Sequence, residues 1–307
     1  MTWKHIVAGI DRSEAGIWAA VVGWQMARKT NAKLDILHVT DDVSALPATL
    51  EATVDMKALM DHITEGTREK IRDQMKGSLP DSAMDHLDII LGKPGWMLPR
   101  ELRIRRADLL ILGGKHHSRM GRWLGGSLAH YSIRASDVPV LIALQPDPIA
   151  KRVLAVVDLS ETSLPTLEAA CRYAETFKAE LRVLYVVEPL PSTYPIQLPG
   201  LANAADEAEQ TLNDLVDQTN CSIAIETNVR EGPSVKTIAD EVRDWDADLM
   251  VAGSHGKGFV DRVLLGSTTQ RLLYSLPCSI MIVPAHREAK KKKGEEAHAA
   301  AGASAGD

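Results

Sequence analysis

The sequence predicts two tandem α/β domains, each a doubly wound, mainly parallel five-stranded sheet with helices on both faces. Three observations carry this: the chain repeats itself once, each repeat alternates short apolar runs with longer amphipathic stretches, and aromatics make up only 4% of the 307 residues. A repeat period this long indicates a duplicated domain rather than a solenoid. Strands alternating with helices imply right-handed βαβ crossovers and a mainly parallel sheet. A core poor in aromatics must be built from Val, Ile, Leu, Ala and Met, which suits strands buried on both faces.

The duplication is visible residue by residue. Ile10-Asp11-Arg12-Ser13 returns as Val157-Asp158-Leu159-Ser160, and Leu34 to Val39 returns as Leu181 to Val186, both 147 residues later. Ala107-Asp108-Leu109-Leu110-Ile111-Leu112-Gly113 returns as Ala247-Asp248-Leu249-Met250-Val251-Ala252-Gly253, and Gly126-Ser127 as Gly266-Ser267, both 140 residues later. The first copy is therefore longer in its middle. Pro146 and Pro148 mark the boundary, because two prolines in a short stretch stop a strand and stiffen a linker. The expected organisation is a first domain over 1–146, a second over 149–286, and a tail over 289–307. The tail, with lysines at 290–293 and then Ala, Gly, Glu and Asp, has nothing to bury and is expected to be disordered and solvated.

In the second repeat strands are expected at 151–157, 180–187, 222–229, 248–253 and 278–283, with helices at 160–178, 201–219, 234–245 and 267–276. Ser160 and Ser163 offer N-cap chemistry to the first of these helices, and Pro165 falls within its opening turns. Pro233 opens the third. In the first repeat the strands are expected near 4–10, 33–39, 85–91, 108–113 and 138–144, with a long helical pattern through 48–77. Ligands of open α/β sheets bind beyond the carboxyl ends of the strands, where strand order reverses.

Composition narrows the function. Two domains of about 150 residues can each bury a core. The net charge of −6 runs against a nucleic-acid binder, whose affinity comes mostly from phosphate contacts, and no basic stripe interleaved with aromatics stands out in the linear sequence. The odd set Cys171, Cys221 and Cys278, without C-x-x-C spacing, fits a reducing compartment. The first residues enter a strand pattern at once, leaving no room for a signal peptide, and no apolar run approaches the ~20 residues that span a bilayer. The expectation is a cytoplasmic protein without membrane insertion.

The chemistry is concentrated after the fourth strand of the second repeat. Gly253-Ser254-His255-Gly256-Lys257-Gly258 is followed, after Phe259 to Leu265, by Gly266-Ser267-Thr268. Glycines let backbone N–H groups approach an anion with no Cβ in the way. Gly266-Ser267-Thr268 then opens a helix whose N-terminus supplies free donors and a positive dipole end, a contribution of ~0.3–1 kcal/mol at an exposed site. The Ser267 and Thr268 hydroxyls add donors, and His255 and Lys257 can neutralise a polyphosphate. Neither the P-loop pattern nor G-x-G-x-x-G after the first strand is present.

With these residues in place, the chain resembles the universal stress protein family over both repeats, essentially residues 1–285. The resemblance rests on Val157-Asp158-Leu159-Ser160, the run Ala247 to Gly256, and Leu264-Leu265-Gly266-Ser267. It implies the adenine-nucleotide α-hydrolase-like fold, ATP as ligand with magnesium as an allowed companion, a role in stress-response regulation, and association through the last strand of the sheet. Carried over, it implies that Asp158 contacts the adenosine part, Val186 contacts adenine, and Gly253, Gly256, Gly266, Ser267 and Thr268 hold phosphates. The last strands, 138–144 and 278–283, are expected to pair the two repeats as an internal pseudo-dimer, with homodimers of whole chains left open.

The first repeat departs from the motif. Asp11, Val39, Gly113, Gly126 and Ser127 remain, but His116 replaces the second glycine, bringing a ring toward the phosphate path and disfavouring positive φ. That pocket is either a second nucleotide site, a remnant kept for folding, or one retuned for another ligand. His116 and His117 lack the surrounding ligand set of a metal site. Asp158 has a structural alternative as a helix cap. Ser13 and Ser160 lack a nucleophile elbow and read as caps. Three functions compete: a nucleotide-binding regulator, a slow ATPase using His255 and Lys257 on the γ-phosphate but with no assigned base, and an interaction scaffold.

Overall fold

The computed structural model describes residues 2–40, 55–114, 127–146, 149–188, 204–254, 265–275 and 278–285. The expectations for His116, His117, Gly126, His255, Gly256, Lys257 and the tail 289–307 lie outside these residues. The first half runs β1 (His5–Ile10), α1 (Glu14–Thr30), β2 (Lys33–Thr40), α2 (Met56–Met75), a 3-10 turn (Asp81–His86), β3 (Leu87–Leu91), α3 (Pro94–Arg105), β4 (Leu109–Gly113), α4 (Ser127–Ala135) and β5 (Val140–Ala143). The second half runs β6 (Arg152–Val157), α5 (Ser163–Phe177), β7 (Glu180–Val187), α6 (Ala204–Asp217), β8 (Ile225–Glu231), α7 (Ser234–Asp244), β9 (Leu249–Gly253), α8 (Ser267–Ser275) and β10 (Ser279–Val283).

The ten strands among the described residues join in one sheet, in the order β3-β2-β1-β4-β5-β10-β9-β6-β7-β8. Every pairing within a half is parallel; the halves meet where β5 and β10 run antiparallel, with Leu141 opposite Met281 and Ile142 opposite Ile280. The expected pairing through the last strands is therefore realised, and it fuses two five-stranded sheets into a continuous one. The reason is local: β5 and β10 are short, apolar and buried, and an unpaired edge of that kind invites another strand.

Two apolar layers cover the two faces, and each runs through both halves. One joins Ile6, Ala8 and Ile111 to Leu141, Met281, Val251 and Val153; the other joins Val7, Leu110 and Ile142 to Ile280, Met250 and Leu154. Alternate residues of each strand supply opposite layers, as the two-residue strand period requires. Polar contacts reinforce the seam. The Leu144 N–H donates to Ser279 Oγ at 3.2 Å, and Arg172 of α5 stacks 4.7 Å from the Trp3 ring centroid. None of the described helices is long and apolar enough to cross a membrane.

Two boundaries differ from expectation for identifiable reasons. Helix α5 begins at Ser163, not at 160, with Thr162 at the N-cap and no capping bond from its side chain. Leu159 takes a left-handed φ of 58°, and Asp158 Oδ1 accepts the Ser160 N–H (3.1 Å) and both the Ser160 and Ser163 hydroxyls (2.6 and 3.2 Å). Those bonds hold an extra turn open before the helix. Strand β8 begins at Ile225 rather than 222, because Glu175 of α5 accepts both the N–H and the hydroxyl of Ser222 at 2.6 and 2.7 Å and draws that segment away from the sheet. Pro165 sits at the third position of α5, where its missing N–H would have had no helical acceptor.

Candidate functional site

In each half the strand order reverses beside the first strand: β1 lies between β2 and β4, and β6 lies between β7 and β9. A crevice at the carboxyl ends of the strands is expected there. In the second half it is present as a cavity of about 290 Å³ bordered by the ends of β6, β7 and β9 and the starts of α5, α7 and α8. That is near the lower end of small-molecule pockets.

The cavity gathers residues far apart in the chain. Asp158, Val186, Gly253, Gly266, Ser267 and Thr268 all border it. Val156, Ala252, Ile238 and Leu272 form an apolar part of the lining, and they belong to the layer on the α7 and α8 side of the sheet. Thr162, Ser163 and Thr166 contribute hydroxyls from the first turn of α5. The cavity thus has an apolar side that suits a flat ring and a polar, glycine-bordered side.

Hydrogen bonds fix the polar side. The Gly266 N–H donates to the Ser254 carbonyl at 3.0 Å. The Thr269 hydroxyl donates to the Gly253 carbonyl at 3.0 Å. Ser254 is buried; its N–H donates to Val283 O (2.8 Å) and its Oγ accepts the Ala285 N–H (3.2 Å). The start of α8 is thereby anchored to β9 and β10. Its first N–H groups have no partner within the helix and supply the positive end of its dipole.

Two carboxylates border the same space. Asp158 is committed through Oδ1 to the turn before α5, where it accepts the Ser160 N–H and the Ser160 and Ser163 hydroxyls, while the N-cap of the helix is Thr162. Glu188, immediately after β7, accepts the Ser234 N–H at 3.1 Å. Hydrogen bonds from the Ser234 hydroxyl and N–H hold the Glu188 carboxyl below its ordinary range, so it stays ionised and ties β7 to the start of α7. Sequence reasoning missed Glu188, Ser234 and the α5 hydroxyls. Glu188 and Ser234 each stand close after a strand end, which was the available signal; the α5 hydroxyls depend on where the helix starts.

The first half builds the corresponding region differently. Asp11, Val39 and Gly113 sit at the ends of β1, β2 and β4, and Ser127 opens α4. Helix α1 is capped by Ser13, whose side chain accepts the Gly16 N–H at 3.3 Å. Its first turn lies directly on the end of β4: a Cβ on Gly113 would stand 1.9 Å from the Ala15 carbonyl oxygen. Thr162 and Gly253, the counterparts of Ala15 and Gly113, both border the cavity of the second half.

This architecture places the chain among the doubly wound α/β proteins whose ligand crevice lies at the switch point of a 3-2-1-4-5 sheet, here built twice. The chain belongs to the universal stress protein family, whose sequence profile matches residues 2–143 and again 150–284. Universal stress protein A homolog 2 of Coxiella burnetii is 29% identical over 151 residues, covering 47% of this chain and 92% of that one. Universal stress protein Rv2005c of Mycobacterium tuberculosis is 23% identical over 297 residues, covering 90% of this chain and 96% of that one. Among solved structures, a universal stress protein from Archaeoglobus fulgidus superposes with a TM-score of 0.64 at 18% identity, covering 91% of this chain and 98% of that one. That likeness is one of fold.

Proposed function

We propose that this protein is a stress-response regulator that binds an adenine nucleotide, ATP, in the cavity of its second half, and that occupancy rather than turnover is its output. The observation carrying this reading is the convergence of Asp158, Val186, Gly253, Gly266, Ser267 and Thr268 on one cavity. Val186 and the apolar lining accept the base; Gly253, Gly266 and the start of α8 accept phosphates, with any magnesium ion carried on the nucleotide. Burying a base against apolar side chains is favourable at about 25 cal/mol per Å², and the helix start adds a field of the right sign for phosphate. The contact between α1 and β4 argues for a single nucleotide per chain.

Titration calorimetry with ATP, together with mass spectrometry of co-purified nucleotide, tests this. One nucleotide per chain is expected, with binding lost in Gly266→Glu while the unfolding transition is retained. No binding by the wild-type protein, or full affinity in Gly266→Glu, would refute the site; two nucleotides per chain would restore the first half as a second site.

A further inference from the structure

The outer side of the α3–α4 layer in the first half differs in kind from its counterpart in the second. Positions three and four apart share one side of a helix, which places Trp96, Arg100, Arg103 and Ile104 on one outward stripe of α3, continued by Lys93 at its N-cap. All five are exposed, Trp96 at 71% and Ile104 at 60%. Tyr131 of α4 stands beside them with its ring centroid 6.2 Å from that of Trp96, and Arg134 is exposed further along α4. Among the described residues Lys93, Arg100 and Arg134 have no ion pair, and Arg103 reaches Asp137 only at 3.8 Å.

The duplication supplies an internal control. The positions matching 96, 100, 103, 104 and 131 hold Lys236, Asp240, Arg243, Asp244 and Arg271. There Lys236 pairs with Asp240 at 2.7 Å, Arg243 pairs with the same carboxylate, and Asp244 faces Arg230 at 3.4 Å. The second half thus presents a self-compensated, solvated helix face. The first half presents three cations, Lys93, Arg100 and Arg134, without an ion pair among the described residues, beside aromatic and aliphatic groups, on a chain whose net charge is −6. The linear sequence showed no such stripe; helix periodicity and the packing of α4 on α3 assemble it.

We propose that this face docks peripherally on an anionic lipid–water interface. Trp and Tyr rings favour headgroup depth, and Lys and Arg are drawn to anionic headgroups. A nucleic acid would use the cations and rings but gains nothing from Ile104, and Trp96 and Tyr131 already pack on each other instead of leaving a slot for a stacked base. An acidic protein segment would satisfy the arginines but not the apolar groups between them. This inference is independent of the nucleotide reading.

The full chain is co-sedimented at low salt with phosphatidylcholine vesicles with and without phosphatidylserine. Binding is expected only with phosphatidylserine, and the apparent partition is expected to fall roughly tenfold in Trp96→Ser/Ile104→Ser and again in Arg100→Gln/Arg103→Gln. Both pairs are exposed, so the thermal transition should stay in place; should one pair unfold the chain, the other carries the test. Lys236→Gln/Arg243→Gln, which removes the same charge from the matching face of the second half, is expected to bind like the wild type. No binding to anionic vesicles, unchanged binding in both first-half variants, or an equal loss in the second-half variant overturns the proposal. So does tighter binding of a single-stranded RNA probe that the same first-half variants abolish.

Discussion

Helix α1 begins three residues after Asp11, whereas α5 begins five residues after Asp158. Those two extra residues lengthen the turn between β6 and α5, which Asp158 holds through its bonds to Ser160 and Ser163; in the first half the first turn of α1 lies on the end of β4. The strand interior beneath changes in a compensated way. Gly9 leaves room for Leu112, since a Cβ there would stand 2.7 Å from a Leu112 methyl; their counterparts are Val156 and Ala252, both of which border the cavity. Bulk has moved from the fourth strand to the first. A leucine at 252 would find its space taken by Val156 and would turn into the cavity.

The ionic clusters show the same compensation with charge instead of volume. In the first half Asp35 of β2 accepts from His5 (2.8 Å) and pairs with Arg105 (2.9 Å), which also reaches Glu101 (3.1 Å) and Asp88 (2.8 Å). In the second half the position of Asp35 is Arg182, which pairs with Glu241 at 2.6 Å; Arg230 and Asn228 add bonds of 2.8 and 3.0 Å to the same carboxylate. Arg182 also lies 4.4 Å from the Trp245 ring centroid, and Trp245 occupies the position of Arg105. Packed neighbours changed together, so a single position is a poor guide to either half.

The largest effect that would test this comparison is at Glu241, whose side chain is 4% exposed. Glu241→Ala strands Arg182 and Arg230 and is expected to cost about 3–5 kcal/mol in urea unfolding. Glu101→Ala should cost less, because Arg105 keeps Asp35 and Asp88. Burial raises the Glu241 carboxyl, but bonds from Arg182, Arg230 and Asn228 outweigh it and hold its pKa below 4.5; Asp35, similarly buried but bonded to Arg105 and His5, lies below 3.8. A folded pKa below the unfolded one gives stability that is full above the unfolded value and is lost as pH falls through the folded one. The melting temperature should therefore decline on acidification below pH 4.5, less steeply in Glu241→Gln. An identical slope in that variant would remove the ionic cluster from the account.

Next comes the exchange of bulk. Leu112→Ala is expected to destabilise the chain by about 2–5 kcal/mol while leaving the nucleotide isotherm unchanged. Ala252→Leu should weaken nucleotide binding roughly tenfold to a hundredfold, from overpacking of about 1–3 kcal/mol. Equal effects of both changes on binding would show that the two pockets are not distinct. The smallest effect is at the caps: Ser13→Ala should cost about 1 kcal/mol, measured by denaturation. Thr162→Ala should cost less, because its side chain makes no capping bond to α5; the reverse order would mean that the two helix starts have been read wrongly.

Much of the fold was legible because buried parallel strands are apolar throughout, as in β1 and β4, and amphipathic helices fill the intervals. Boundaries were lost where a side chain overrode local propensity: Glu175 drawing Ser222 off the sheet, and Asp158 delaying α5. In the candidate site, Gly253, Gly266, Ser267 and Thr268 were legible from spacing. Glu188, Ser234 and the hydroxyls of α5 were not, since a residue enters a crevice through the direction of its strand or helix face. The aromatic and basic groups of α3 and α4 were hidden likewise, Tyr131 being 35 residues from Trp96.

The amino-acid order was sufficient for the duplication, the strand-and-helix alternation and the glycine-bearing turn, because these depend on residue type and on spacing along one segment. The joining of β5 to β10, the exchange of bulk between Gly9–Leu112 and Val156–Ala252, and the cavity that gathers Asp158, Val186 and Gly266 depend on distances between segments. Those distances are set when the whole chain packs at close to crystalline density, and no local stretch of residues contains them.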